Sequence, residues 1–572
     1  MPSAGDSFSM GRIVFILLFL VIFMISASNP AKTIRRTFII ESTTITKLCH
    51  TQNVITVNGQ LPGPTLYVNE EDSVIVRVHN RAKYNATIHW HGLQQMRTPW
   101  ADGPVYITQC PIRPGGSYTY RFIITAREGT LWWHAHSSWL RATVYGAIVI
   151  FPKRGASYPF TSPYAHALIQ LGEWWNSNPI DVIDEAIRTG GPPNISDAFT
   201  INGEPGDLYP CSKRNTYRLP VRKGKRYLLR IVNAAMNFEM FFSVAHHKLT
   251  VVGVDASYTK PYKTKYVFIA PGQTTDVLLT ANKPIGKYYM AARVYSSSPI
   301  VAFDNTTTTA ILDYIGSSNS SSPVMPKLPL YNDTRRATRF SRNIRSLGSK
   351  AFPVQVPKHL KEDLLFTVGF GLFPCPSGRT CLGPNGTRLA ASINNISFVS
   401  PSISILQAYY FKINGVFTTD FPSKPPVKFN YTSDNIPSSL YTPLRGTRVK
   451  VLEYNTAVQL VFQDTNIFTG ENHPMHLHGY NFYVVGFGFG NYDPVKDPLK
   501  FNLVNPPKRN TVAVPVSGWA AIRFYADNPG VWFLHCHIDA HLSWGLSMAL
   551  LVKDGPGKSA KLKPPPSDLP KC

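Results

Sequence analysis

Gly530-Val531-Trp532-Phe533-Leu534-His535-Cys536-His537-Ile538-Asp539-Ala540-His541-Leu542-Ser543-Trp544-Gly545-Leu546 is the stretch on which the rest of the chain depends. Its first half reads as a strand running into a turn, and successive side chains of a strand point to opposite faces. Cys536 therefore looks one way while His535 and His537 look the other, so three adjacent residues serve two different sites. A thiolate with two imidazoles and a weak axial neighbour is the donor set of an electron-transfer copper. Cys536 and His541 supply two of these donors, and Leu546 stands where the axial group belongs. Leucine cannot donate, so such a site holds copper(I) well and its potential is expected to lie above that of a methionine-ligated equivalent. The third donor must come from elsewhere.

Three further stretches offer it: His89-Trp90-His91-Gly92, Trp133-His134-Ala135-His136 and His473-Pro474-Met475-His476-Leu477-His478-Gly479. With the first stretch they hold ten of the sixteen histidines. One His-x-His pair is commonly a sheet face or a zinc site. Four clusters, one with a cysteine inside it, argue for bound metal, and imidazole suits copper, zinc and iron.

The pattern around Gly530 recurs, and self-similarity of this kind marks repeated units. Gly129 precedes His134 by the spacing that separates Gly530 from His535, which puts Ala135 on Cys536. The first unit therefore has His-x-His without a thiolate. A middle unit, Gly286-Lys287-Tyr288-Tyr289-Met290-Ala291-Ala292-Arg293, keeps the register with Ala291 and Arg293 at the histidine positions. Ser243-Val244-Ala245 aligns in the same way with His476-Leu477-His478, so both its potential sites are blank. His246 and His247 lie beside that register on the wrong positions and read as structural. Short runs such as Ser73-Val-Ile-Val-Arg-Val and Ser117-Tyr-Thr-Tyr-Arg-Phe, punctuated by Gly, Pro and Asn, predict an all-β sandwich or barrel. Histidines from both ends must meet, so a metal cluster is expected between the first and third units, with the middle one as spacer and part of a substrate wall.

These motifs resemble the copper signatures of the multicopper oxidases, and in detail those of plant laccases; the likeness covers nearly everything after residue 30. It implies three cupredoxin-like Greek-key domains, at 30–152, 153–322 and 360–572, with a basic linker at 323–359. It also implies four copper ions. His473, Cys536 and His541 would hold the type 1 copper, with Leu546 at the axial position, and His89 and His476 the type 2 copper. His91, His134 and His537 would bind one ion of the type 3 pair, and His136, His478 and His535 the other. The resemblance further pairs Cys49 with Cys211, Cys110 with Cys572 and Cys375 with Cys381, where the sequence alone leaves every connectivity open.

Length and composition agree. At 572 residues the chain exceeds a single core, since domains run to roughly 100–200 residues. After Arg12 an apolar run, Ile13 to Ile25, leads into Ser26-Ala27-Ser28. That run is too short to span a bilayer and reads as a secretory signal, residues 1–28. Sequons at Asn85, Asn194, Asn305, Asn319, Asn332, Asn385, Asn395 and Asn430 suggest a glycosylated surface. Setting Cys536 aside as a ligand leaves an even number of cysteines, which fits disulfides in an oxidising compartment. The net charge of +25 would attract polyanions, which outside a plant cell means wall pectins. No nucleic-acid module is recognisable, and the Lys561-Leu-Lys-Pro-Pro-Pro tail lacks the hydrophobic end of a lipid anchor. The arginines at 335, 336, 339, 342 and 345 read as a solvated linker rather than a specific anion site.

Copper that cycles by one electron suits phenols, whereas dioxygen needs four electrons to become water; monolignols and flavonoids are the substrates the resemblance implies. Cys536 would take the electron and its chain neighbours His535 and His537 would pass it on. Asp102 and Asp539 are candidates for orienting ligands or relaying protons. An exposed imidazole edge of His473 or His541 is the expected electron port. The expected enzyme is thus a secreted, monomeric oxidase of the cell wall. Three rivals remain. Ascorbate oxidase usually carries an axial methionine. A ferroxidase would want acidic groups such as Glu471 and Asp539 near the port. A copper-free structural wall protein would lack the ligands.

Overall fold

Alternation of side chains along the strands builds the sheets. In Ser73–Asn80, Val74, Val76 and Val78 are buried while Arg77 is exposed, and in Ser117–Ile123 the buried residues are Tyr118, Tyr120 and Phe122. A period of two puts each set on one face, where a second sheet covers it. The computed structural model describes residues 30–125, 127–318 and 320–572. The proposed signal and the sequon asparagine Asn319 lie outside them.

The described residues form six sheets, two in each of three Greek-key domains. The second sheet has the same construction in all three. A short strand runs parallel to the domain's last strand: Leu66–Asn69 with Tyr145–Phe151, Arg218–Val221 with Thr308–Tyr314, and Val449–Leu452 with Ser547–Val552. The last strand then pairs with Gly129–Ala135, Lys287–Tyr295 or Gly530–Cys536, and these pair in turn with Ile88–His91, Glu239–Val244 or His473–Leu477. The cross-strand partners are His89 with His134, Ser243 with Ala291, and His476 with His535. The alignment of the repeats is thus a structural equivalence, and the middle domain presents serine and alanine where the outer two present histidines. His247 is structural, its ring held between the Ala245 carbonyl and the Tyr314 hydroxyl, and His246 is exposed.

Gly530–Cys536 is buried on both faces for two different reasons. Trp532, Leu534 and Cys536 point into a large apolar cluster that runs through the first and third domains and includes Leu546. Val531 and Phe533, on the other face, pack with Trp100, Ile107, Ile405 and Leu406. Each fully buried large side chain contributes about 1.5–3 kcal/mol, so the two faces together fix the strand's register. The middle domain has a separate core.

Cys49–Cys211, Cys110–Cys572 and Cys375–Cys381 are bonded, leaving Cys536 as the free, buried thiol among the described cysteines. The second bridge ties the last residue to the first domain, and the Trp100 indole donating to the Lys563 carbonyl at 2.8 Å reinforces it. The basic stretch after the middle domain is more than a solvated linker. Asp333 caps a helix, Thr334–Asn343, whose Ala337 and Phe340 enter the middle domain's core while Arg335, Arg336, Arg339 and Arg342 stay exposed. The apolar spacing of three, with Ile344 following at four, makes one buried stripe and leaves the arginines on the solvent side.

Candidate metal centre

Two donor sets lie on opposite faces of the strand that ends at Cys536. In the first, His473 Nδ1 is 3.8 Å from Cys536 Sγ and 3.2 Å from His541 Nδ1, and His541 Nδ1 is 3.5 Å from the sulfur. An ion with bonds of about 2.0–2.3 Å to nitrogen and sulfur in a plane sets its donors roughly 3.5–3.7 Å apart. The triangle fits such an ion. The far nitrogen of each ring faces a buried carboxylate: His473 Nε2 lies 3.3 Å from Asp464 and His541 Nε2 lies 3.2 Å from Glu471. A proton held there leaves each Nδ1 lone pair aimed at the triangle. Burial pushes the Cys536 thiol well above its ordinary value, and the carboxylates of Glu471, Glu239 and Asp539 push it further. A thiol so disfavoured as an anion needs a cation beside it to ionise. Leu546, fully buried, belongs to the same apolar cluster as Cys536.

The second set gathers eight histidines from two domains. His91, His134 and His537 converge, as do His136, His478 and His535, and His89 with His476 and His91; within each trio the donor atoms lie within 4.8 Å of one another. Five of these rings give their Nδ1 proton to an oxygen. His89 donates to the Asp102 carbonyl, His134 to Ala135, His476 to Asn510, His535 to Cys536 and His478 to the Asp102 carboxylate, all at 2.7–2.9 Å. Their Nε2 atoms are left to bind, and those of His89, His134 and His476 are buried without a hydrogen-bond partner. Buried lone pairs without partners are costly unless a ligand takes them. Burial, followed by the neighbouring imidazoles, holds His91, His136 and His478 well below the ordinary histidine range, and burial first brings His535 down to about 3. These four rings are therefore held neutral, with lone pairs available to a metal.

His91 and His537 are oriented differently. His91 Nε2 donates to the side-chain Oδ1 of Asn510 at 3.0 Å, which turns its Nδ1 to within 3.2 Å of His537 Nε2. Arg141 Nη1 lies 3.0 Å from His537 Nδ1 and can only donate, so the His537 proton sits on Nε2, where a cation would take its place. Arg141 also donates to Asp539 at 2.8 Å and to the carbonyl of His537. Asp539 is therefore anchored by an ion pair, and it lines a cavity of about 360 Å³ with His134, His136, His535 and His537. Asp102 touches histidines of both outer domains. The middle domain closes the remaining side with Gly272, at φ +87°, where a Cβ would stand 2.8 Å from His537 Cδ2 and 3.1 Å from His91 Cε1. No other residue fits there.

Neither His473 nor His541 is exposed, contrary to the expected port at the surface. His541 instead forms part of the wall of a cavity of about 450 Å³, with Glu471, Phe370, Trp544, Asn237 and Phe238 among its neighbours. The imidazole edge is reached through this cavity because loops of the middle and third domains rise around it. Sequence reading missed Arg141, Asp464, Asn510 and this cavity. An arginine inside the apolar run Trp139-Leu140-Arg141-Ala142 was the one available signal.

Two buried carboxyls away from the donor atoms give the protein a pH-dependent stability. Burial pushes Glu173 up to about 7, against hydrogen bonds from Asn237, Ser196 and Met236 and the charge of Arg141. Burial pushes Glu239 up to about 8, with Asn472 opposing and Glu471 assisting. Both values exceed that of an unfolded glutamate, so between about pH 4.5 and 8 these two carboxyls hold more protons in the folded chain than in the unfolded one. Their contribution to stability should then fall by a few kcal/mol as pH rises through that window, opposing the buried histidines, whose contribution grows up to about pH 6.5. Denaturant midpoints of the wild type and of Glu239→Gln, compared from pH 5 to 8, check this: the difference between the two should change with pH in that sense.

Models of the family described as multicopper oxidase match residues 39–155, 166–317 and 420–556. Laccase-12 of Arabidopsis thaliana is 59% identical, over 97% of this chain and 99% of its own length. Laccase-3 of Oryza sativa subsp. japonica is 56% identical, over 99% and 100%. Among solved structures, the laccase from Botrytis aclada superposes with a TM-score of 0.71 at 26% identity, covering 94% of this chain and 90% of that one.

Proposed function

The chain belongs to the multicopper oxidases and is a laccase-type oxidoreductase, and from this we propose that it takes single electrons from phenols such as monolignols or flavonoids and reduces dioxygen to water. The observation that carries the reading is a trio of one thiol and two imidazoles, of which His541 lines an apolar cavity, with the thiol on a strand whose adjacent residues enter an eight-histidine cluster. Four copper ions held by the residues named above would supply one-electron chemistry at the first set and dioxygen reduction at the second.

The chain's own part can be assigned. Phe370, Phe238 and Trp544 pack a phenol ring, and the Glu471 carboxylate, beside His541, accepts its hydroxyl. The His541 edge is the point of contact. From Cys536 the chain offers two routes to the cluster: the backbone to His537, and the hydrogen bond from His535 Nδ1 to the Cys536 carbonyl. Asp102 orients His89 and His478, and Asp539, open to the second cavity and held by Arg141, is placed to pass protons inward. All ten histidines and Cys536 come from one chain, so a monomer suffices.

We place the protein in the plant cell wall, secreted and glycosylated. No helix among the described residues is long and apolar enough to cross a membrane. The charge of +25 and the exposed arginines of Thr334–Asn343 support contact with pectin-like polyanions. Turnover of copper-loaded protein on monolignols, flavonoids, ascorbate and ferrous iron tests the substrate class. Preference for ascorbate or iron would replace the phenol reading. Leu546→Met should lower the potential of the first site by roughly tens of millivolts, because the axial group tunes it; redox titration of the visible band reads this directly.

A further inference from the structure

The loops around the cavity at His541 carry sequons. Residues 192–195, 300–302 and 382–384 line it. Asn194-Ile195-Ser196 begins within the first, Asn385-Gly386-Thr387 follows directly on the third, and Asn305-Thr306-Thr307 begins three residues beyond the second. The first and third loops are bound to each other, Leu382 N donating to the Thr189 carbonyl at 2.9 Å and Leu389 N to Gly190 at 2.8 Å. Asn194 and Asn385 are exposed, and neither side-chain amide makes a hydrogen bond among the described residues. Asn85, Asn305 and Asn332 are exposed in the same way, whereas Asn395 is half-buried and the Asn430 side chain accepts from Asn491. The rim also leaves three large apolar side chains in solvent, Ile195, Ile300 and Leu382, at 42%, 61% and 65% exposure. Exposed apolar groups gathered at one mouth mark a surface that something covers.

We propose that Asn194 and Asn385 carry N-linked glycans that form a collar over this apolar rim and set the largest phenol the cavity admits. In the modification a bond forms between the asparagine Nδ2 and C1 of an oligosaccharide. The C1–O bond to the lipid diphosphate donor breaks, Nδ2 loses a proton and the lipid diphosphate leaves. The inference rests on the reading that the chain passes through the secretory pathway, where that donor resides. A cavity of about 450 Å³ accepts a single-ring phenol. The further rings of a larger phenol would lie over the rim, on which Asn194 stands and which Asn385 adjoins.

The test uses full-length, copper-loaded protein secreted from plant cells. Glycopeptide mass spectrometry reads the occupancy of every sequon. Turnover is measured on a monolignol and on a lignan-type dimer, before and after enzymatic deglycosylation of the folded protein, and for Asn194→Gln/Asn385→Gln. The expected result is glycan at both sites and a rise of roughly threefold or more in the dimer-to-monomer ratio of kcat/KM on deglycosylation, matched by the double variant. Bare Asn194 and Asn385 beside occupied sequons elsewhere would overturn the collar and leave secretion standing. Bare sequons throughout would overturn both. An unchanged ratio after deglycosylation also ends the proposal.

Discussion

Replacing Cys536 with serine should lower phenol turnover by at least about a thousandfold while the eight-histidine cluster still holds metal. Cys536 combines two positions that no other residue has. Its sulfur completes the triangle with His473 and His541 at 3.8 and 3.5 Å, and its carbonyl accepts from His535, whose other nitrogen faces the rings of His136 and His478. Serine is nearly the same size and would leave the strand in place, since Trp532 and Leu534 fix the register on that face. Its hydroxyl is a hard donor, unsuited to the soft ion the thiolate selects. Turnover, the thiolate-to-metal visible band and copper per chain should therefore separate: the first two lost, copper reduced by about one ion in four. A serine variant that keeps the band, or more than about a tenth of the turnover, would sink the assignment.

Asp102→Asn should cost roughly 10- to 100-fold in turnover or in retention of metal by the cluster, the range usual when a group that orients a ligand is changed. The side chain is fully buried, and Oδ2 accepts from His478 Nδ1 at 2.9 Å while Oδ1 lies 3.3 Å from His89 Nδ1. Asparagine replaces one of the two oxygens with an N–H donor, so its amide must turn an N–H toward the already protonated Nδ1 of one of the two rings. The Asp102 backbone carbonyl still holds His89 at 2.7 Å, so the loss should fall mainly on His478 and the trio it shares with His136 and His535. Copper content, oxygen consumption and a melting curve, measured together, distinguish a displaced ligand from a failed fold. Wild-type turnover with full copper would show that Asp102 orients nothing of consequence.

Both predictions rest on residues visible in the sequence, because neighbours along a strand have fixed directions. The alternation that separates Cys536 from His535 and His537 follows from backbone geometry, and the blanks at Ser243 and Ala291 followed from counting. The disulfides were legible only through the resemblance to a family. The supporting groups were not legible at all. Arg141 is 396 residues from His537, and Asn510 is 419 from His91. Nothing local distinguishes such residues from any other buried polar side chain, and only packing makes them partners.

By itself the chain determined the β architecture, the threefold repeat and the candidate donor residues, since each depends on periodicity or covalent adjacency. Tertiary structure alone decided which nitrogen of each imidazole is free, where the carboxylates stand and that His541 rather than His473 meets the apolar cavity. Those features arise where three domains press loops and strands together. Burial and hydrogen bonding at such a junction depend on every surface that meets there, and no single segment encodes them.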